Sequence, residues 1–198
     1  NTLIAVDGDK VCSCLQLLPY PMFLRGKQVD VFYIVGVATW PEYRGKGLAS
    51  KLLRYADTVL QERKVNVSIL LPFQYDFYRK YGWEICYEFL TYRGVKFPSQ
   101  YTLRDPTASM CTRRKFTKVD LTRDLDQLAA CYDQYMKRFH GFIIRGKKEW
   151  TKLIRDVELD QGACYLYEED RKPLGYIVYT MQARKLVISE LVYTTAEA

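Results

Sequence analysis

Arg44, Gly45, Lys46 and Gly47 alternate fixed positive charges with positions that carry no side chain. Backbone without a Cβ can approach a phosphate closely. The residues that follow, Leu48, Ala49, Ser50 and Lys51, open a run with helical spacing. The first amides of a helix lack intrahelical partners, and its dipole adds partial positive charge at that end. The chemistry this window suits is therefore the holding of a pyrophosphate. A solvated turn that caps a helix uses the same residue types, so the window alone leaves both readings open. A second cluster, PFQYDFYRKYGWE at 72–84, is aromatic and holds the phenols of Tyr78 and Tyr81 beside the indole of Trp83. A phenol can protonate a leaving group and an indole cannot.

The elements that must position these residues follow from periodicity. LIAV (3–6) and VCSCLQL (11–17) flank Asp7-Gly8-Asp9-Lys10, the pattern of a β-hairpin. Alternation puts Cys12 and Cys14 on one face of its second strand, as core filling. VDVFYIVGVAT (29–39) reads as a central strand, with a bulge or a close backbone approach expected at Gly36. Leu48, Leu52, Leu53, Ala56, Val59 and Leu60 recur at helical intervals, which predicts an amphipathic helix starting near Gly45. A buried strand is expected at 65–71, a short helix at 75–81 closed by Gly82, and a further strand at 83–92. FPSQ (97–100) separates the halves. Beyond it, a helix is expected from near Thr122, with Leu125, Leu128, Tyr132, Tyr135, Met136 and Phe139 on its spacing, and a helical segment at 150–153. Strands resume at Cys164. There YLYEEDRKPLGYIVYT repeats the hairpin pattern, and LVISELVYT (186–194) mirrors VFYIVGVAT (31–39). The reading is an internal duplication, with domains at 1–100 and 101–198, the second degenerate and ending where the first has its glycine turn.

The 198 residues are 48% hydrophobic and 27% charged with a net charge of +7, the composition of a folded globular chain and not of a disordered one. The charge is spread over both halves without a basic tail, a balance that suits a polyanionic small molecule about as well as nucleic acid. The longest uncharged stretch, 11–24, is short and broken by Pro19 and Pro21, so no membrane span is expected. The six cysteines form no C-x-x-C pair, and with His140 the lone histidine, neither a metal centre nor a serine triad is signalled. His140 reads as a cap or surface residue. Arg113-Arg114-Lys115 and Arg145-Gly146-Lys147-Lys148 read as solvated clusters. The chain opens on Asn1, not Met, and is expected to be part of a longer one.

Arg44-Gly45-Lys46-Gly47-Leu48-Ala49 resembles the (Q/R)-x-x-G-x-(G/A) signature of the GCN5-related N-acetyltransferases (GNATs), and 72–84 resembles that family's later aromatic segment. VATWPEYRGKGLAS, FYRKYGW, GFIIR and ISELVYTT narrow the resemblance to the Eis (enhanced intracellular survival) acetyltransferases, along essentially the whole chain. The resemblance implies an α/β (α+β) fold of two tandem GNAT-like domains, each a mixed, largely antiparallel sheet flanked by helices. It implies acetyl-CoA as cofactor, the pyrophosphate on Arg44, Gly45, Lys46, Gly47, Leu48, Ala49 and Ser50, and the pantetheine on the backbone of Val37, Ala38 and Thr39. Tyr78 and Arg79 complete the cofactor set, with Tyr78 near the thiol.

The implied activity is direct transfer of acetyl to a primary amine, of aminoglycoside, polyamine or lysine type. Where relatives carry a tyrosine donor after the glycine, this chain has Trp83, so the acid role passes to Tyr78, with Tyr81 second. Relatives use a terminal carboxylate as base, and no base is assigned here. Glu42 and Glu84 read as surface residues. A cytoplasmic homo-oligomer without nucleic-acid or membrane partners is expected. A catalytically weak acyl-CoA-binding or scaffold protein is the alternative, and a nucleic-acid-binding module the third reading.

Overall fold

The computed structural model describes residues 1–88, 91, 114–183 and 185–195. The chain divides into two compact units, Asn1–Tyr92 and Arg93–Ala198.

In the first unit, β1 (Thr2–Asp7), β2 (Lys10–Leu24) and β3 (Lys27–Thr39) form an antiparallel meander, and β4 (Ser68–Leu70) joins β3 in parallel, giving the order β1-β2-β3-β4. The crossover between β3 and β4 is α1 (Leu48–Glu62). Leu52, Leu53, Ala56 and Leu60 are the buried stripe of α1 and pack on Leu15, Leu17, Phe32 and Ile34 of the sheet. Of the two expectations at Gly36, the bulge is present: the β2–β3 register shifts between Cys14 and Gln16, opposite Gly36. Of the two cysteines predicted to share a core face, Cys12 is buried and Cys14 only half-buried.

Three expectations for this unit need correction. The helix starts at Leu48, because Gly45 and Gly47 hold φ of 76° and 74°, left-handed values that a right-handed helix cannot include. A 3₁₀ turn, Pro41–Tyr43, fills part of the gap. The strand expected at 65–71 is only Ser68–Leu70 and half-buried, since β4 meets β3 over just three residue pairs. The strand expected at 83–92 does not form over 83–88, where side chains such as Trp83 turn to neighbouring elements, and 89, 90 and 92 lie outside the described residues. The short helix is α2 (Tyr75–Arg79), and Gly82 (φ 93°) follows its end.

The second unit orders its sheet β5-β7-β8-β9, with β5 (Arg114–Lys118), β7 (Ala163–Glu169), β8 (Lys172–Gln182) and β9 (Lys185–Tyr193) all antiparallel. β6 (Phe142–Ile143) is a two-residue strand. The meander β7-β8-β9 has the connectivity of β1-β2-β3. Packed on it are α3 (Leu125–Met136) and α4 (Lys147–Leu159), through Leu128, Cys131, Tyr132, Trp150, Ile154 and Val157.

The α3 helix begins three residues later than expected. Asp120 Oδ1 accepts from the Thr122 amide (2.9 Å) and hydroxyl (2.6 Å), and Asp124 Oδ2 accepts from the Asp120 amide (2.9 Å), a side-chain-closed turn that competes with helix. The helix also stops before Phe139. Conversely, α4 extends well beyond the expected 150–153, and Glu149 accepts from the Gly146 amide at its start (3.0 Å). FPSQ and Cys111 lie outside the described residues. No described helix is long and apolar enough to cross a membrane.

Candidate active site

β3 is held on one edge by β2 along its length, but on the other it pairs β4 only at Phe32, Tyr33 and Ile34. From Val35 onward that second edge has no strand partner among the described residues. The Trp40 amide donates to the Cys12 carbonyl (3.0 Å), and alternation along the strand turns the amide and carbonyl of Thr39 to the open edge. The Thr39 carbonyl accepts from Arg44 Nε (3.3 Å), which folds the guanidinium back over the strand end.

The two left-handed glycines then bring the chain to Leu48. A Cβ at either would meet nothing within 4 Å, so what requires glycine here is backbone conformation. α1 has no side-chain cap. Its first intrahelical bond runs from the Lys51 amide to the Gly47 carbonyl (3.1 Å), which leaves the amides of Leu48, Ala49 and Ser50 available at the positive end of the dipole. Arg44, Gly45, Lys46 and Gly47 are exposed. Lys10 and Lys46 lie over the Tyr43 ring at 5.2 and 4.6 Å, so the surroundings are basic. A concavity of about 420 Å³ beside the turn is lined by residues 11–14 of β2, Ala38 to Pro41 and Arg44.

The aromatic cluster meets this frame at two points. Tyr81 Oη donates to Ser50 Oγ in the first turn of α1, and Trp83 Nε1 donates to Ser68 Oγ of β4 (3.0 Å). Tyr78 is only 5% exposed and sits edge-on to Phe73, Phe77 and Trp83. Burial, and secondarily the nearby Tyr33, push its phenol above the usual tyrosine range, so it is neutral at physiological pH. Tyr78 also lines a second concavity of about 380 Å³, walled by Met22, Tyr33, Ile69 to Pro72 and residues 83–87.

The structure thus brings Val37, Ala38, Thr39, Arg44 and the glycine turn to one strand end, and links Tyr81 to Ser50. Arg79 does something else. Its Nε donates to Glu84 Oε1 (2.7 Å) and it lines the second concavity. Glu84 is held below the usual carboxylate range by that hydrogen bond, and Glu42 by its own backbone amide and then by Lys10 Nζ (3.0 Å). Both carboxylates are exposed, as expected. His140 is exposed in the turn after α3.

Arg145, read as a solvated cation, is instead paired with Glu190 in the second unit. Its terminal nitrogens donate to both carboxylate oxygens (2.8 and 2.5 Å), Tyr176 Oη adds a third bond (2.9 Å), and the guanidinium lies over Tyr132 and Trp150. No local signal exposes a pair separated by 45 residues. The walls of the second concavity were likewise missed, although the aromatic content of 72–84 pointed toward them. Among the described residues no cluster of three metal-ligating side chains occurs.

An open strand edge that runs into a glycine turn and an uncapped helix is the frame of an α/β domain suited to an extended, anionic ligand. Family comparison agrees: residues 1–86 match one acetyltransferase (GNAT) domain model and residues 141–198 another. The chain belongs to the GNAT acetyltransferases, with a domain of N-acetyltransferase type in each half.

No curated protein sequence matches it. Among solved structures, a probable N-acyltransferase from Enterococcus faecalis aligns over 98% of this chain and 48% of its own length, at 21% identity and TM-score 0.73. A GCN5-related N-acetyltransferase from Anabaena variabilis aligns over 98% and 49%, at 25% identity and TM-score 0.69. Eis1 from Mycobacterium abscessus aligns over 100% and 50%, at 16% identity and TM-score 0.63. The chain spans about half the length of these structures.

Proposed function

We propose that the first unit binds an acyl-CoA, acetyl-CoA in the first instance, and transfers its acyl group to a primary amine of aminoglycoside, polyamine or lysine type. The observation that carries this reading is the juxtaposition of the open β3 edge with the uncapped start of α1, flanked by Arg44 and Lys46. The three helix amides and two cations suit a pyrophosphate, and the Thr39 amide suits the amides of an extended pantetheine arm. The likeness of the whole chain to Eis1 favours an Eis-type relationship. On this reading residues 1–100 form the donor-binding domain and 101–198 its degenerate copy, in a cytoplasmic, homo-oligomeric enzyme.

When bound, the donor supplies an acyl group activated as a thioester. A neutral amine attacks the carbonyl carbon, the C–N bond forms, and the C–S bond breaks. A backbone amide further back along the open β3 edge stabilises the charge that develops on the carbonyl oxygen. Tyr78 gives its phenolic proton to the departing thiolate and is reprotonated from solvent. Glu42 and Glu84 are both engaged by cations, so neither is assigned as the base that takes the ammonium proton. The alternative, a protein that binds acyl-CoA with little turnover, is favoured by Trp83, whose indole at the usual donor position is committed to Ser68.

Gly47→Glu tests the assignment. The carboxylate adds bulk and negative charge where the phosphates would sit, so calorimetric titration should show loss of CoA binding. Thermal melting checks that the variant is folded, because a non-glycine residue at φ 74° is strained. A folded variant that binds CoA as tightly as wild type excludes the site.

A further inference from the structure

The 380 Å³ concavity is within the about 300–1,000 Å³ range of small-molecule sites. Its walls are mainly apolar: Met22 from β2, Ile69, Leu70 and Leu71 at β4, and Trp83 and Ile85 beyond α2. Glu84, the one carboxylate on its wall among the described residues, is bound to Arg79 at 2.7 Å and so is not free to hold an ammonium group. Tyr33 and Ile69, a register pair of β3 and β4, line it, and the open edge of β3 starts two residues further along at Val35. From Thr39 back to Tyr33 is about 20 Å of extended strand. A donor laid along that edge with its phosphates at α1 therefore points its thioester end at this concavity, with Tyr78 in the wall. What enters is then the group the thioester carries, and acetyl would leave most of the space empty.

We propose that this concavity is an acyl-chain pocket and that the preferred donor carries a straight, medium-length acyl chain. The proposal rests on the acyl-CoA reading above, and its test separates the two. Coenzyme A and its acetyl, butyryl, hexanoyl and octanoyl thioesters are titrated into the protein by calorimetry, without an acceptor, so that a pocket for the amine cannot mimic the result. Affinity should rise about fourfold per added methylene until the pocket is full.

Ile85 lines the concavity outside any helix or strand and is 48% exposed, so Ile85→Trp takes up pocket space with little demand on the fold. In this variant the gain should stop at the shorter chains while acetyl-CoA keeps its affinity. Cys86→Trp, on the same exposed wall, is the second variant, and melting temperatures confirm that both fold. Equal affinity for all thioesters in the wild type, or an unchanged chain-length slope in both variants, overturns the acyl pocket and leaves CoA binding standing. Failure of coenzyme A and every thioester to bind overturns both.

Discussion

Tyr78 carries the chemistry at the scale of single residues, and its surroundings state how it can be tested. The ring is fixed edge-on by Phe73, Phe77 and Trp83, contacts that a phenylalanine would keep. Tyr78→Phe should therefore leave the melting temperature and CoA affinity nearly unchanged and lower kcat by about 10²- to 10⁴-fold, measured as thiol release with a panel of amines. Full turnover in the variant would mean that the ring only packs. The residue types at this site were legible in the sequence because their chemistry is local: glycines beside cations, phenols in an aromatic run. Their partners were not, since Trp83 finds Ser68 and Tyr81 finds Ser50 only after β4 and α1 are in place. The partner of Arg79 was not legible either: Glu84, five residues on, engages its guanidinium.

Among the elements, α1 was read most faithfully, because its stripe of Leu52, Leu53, Ala56 and Leu60 repeats with the helical period and is buried as one face. Its start was not, since periodicity is blind to the left-handed glycines that delay it. The 83–88 segment shows the opposite failure, for aromatic and β-branched residues raise strand propensity whether or not a neighbouring strand is there to pair. In the second unit the element-scale event is the Arg145–Glu190 pair, which ties the start of α4 to β9 with side chains 18% and 21% exposed. Arg145→Met leaves a mostly buried carboxylate without its cation, and a loss of about 3 kcal/mol in denaturant-measured stability is expected. The double variant Arg145→Met, Glu190→Gln should recover part of it. Recovery of nothing would mean that Arg145 acts through its packing on Tyr132 and Trp150 alone.

For the molecule as a whole, each unit has its own buried core, and both bury titratable groups, Tyr78 among them in the first. The second core contains titratable groups: burial raises Cys131 to about 11, Cys164 to about 12 and Tyr132 to about 12. These pKa values exceed the ordinary values of 9.0 for cysteine and 10.0 for tyrosine, so between pH 9 and 12 the unfolded chain gives up protons that the folded chain keeps. Stability is then full below about pH 9 and falls as pH rises through that window. Urea unfolding of the second unit's signal from pH 7.5 to 10.5 should show a decline that Cys164→Ala reduces, and a flat profile would contradict the burial of these groups. That the chain holds two such units was legible from the repeated hairpin-and-strand pattern, because a three-strand meander leaves a local signature. Which groups the cores would ionise was not, since burial is a property of the assembled layers.

The parting of β3 from β4 after Ile34 has a kinetic signature of its own. Peptide groups such as the Thr39 amide, which face the open edge, have no ladder to slow their exchange with deuterated solvent, whereas Trp40, bonded to Cys12, does. Adjacent positions at the end of β3 should thus label at different rates in the ligand-free protein. A bound donor arm would act as the missing strand and bring the fast set down to the slow one. Site-resolved hydrogen exchange with and without coenzyme A reads this directly, and protection confined to α1 with none at Thr39 would show that the arm does not lie along β3.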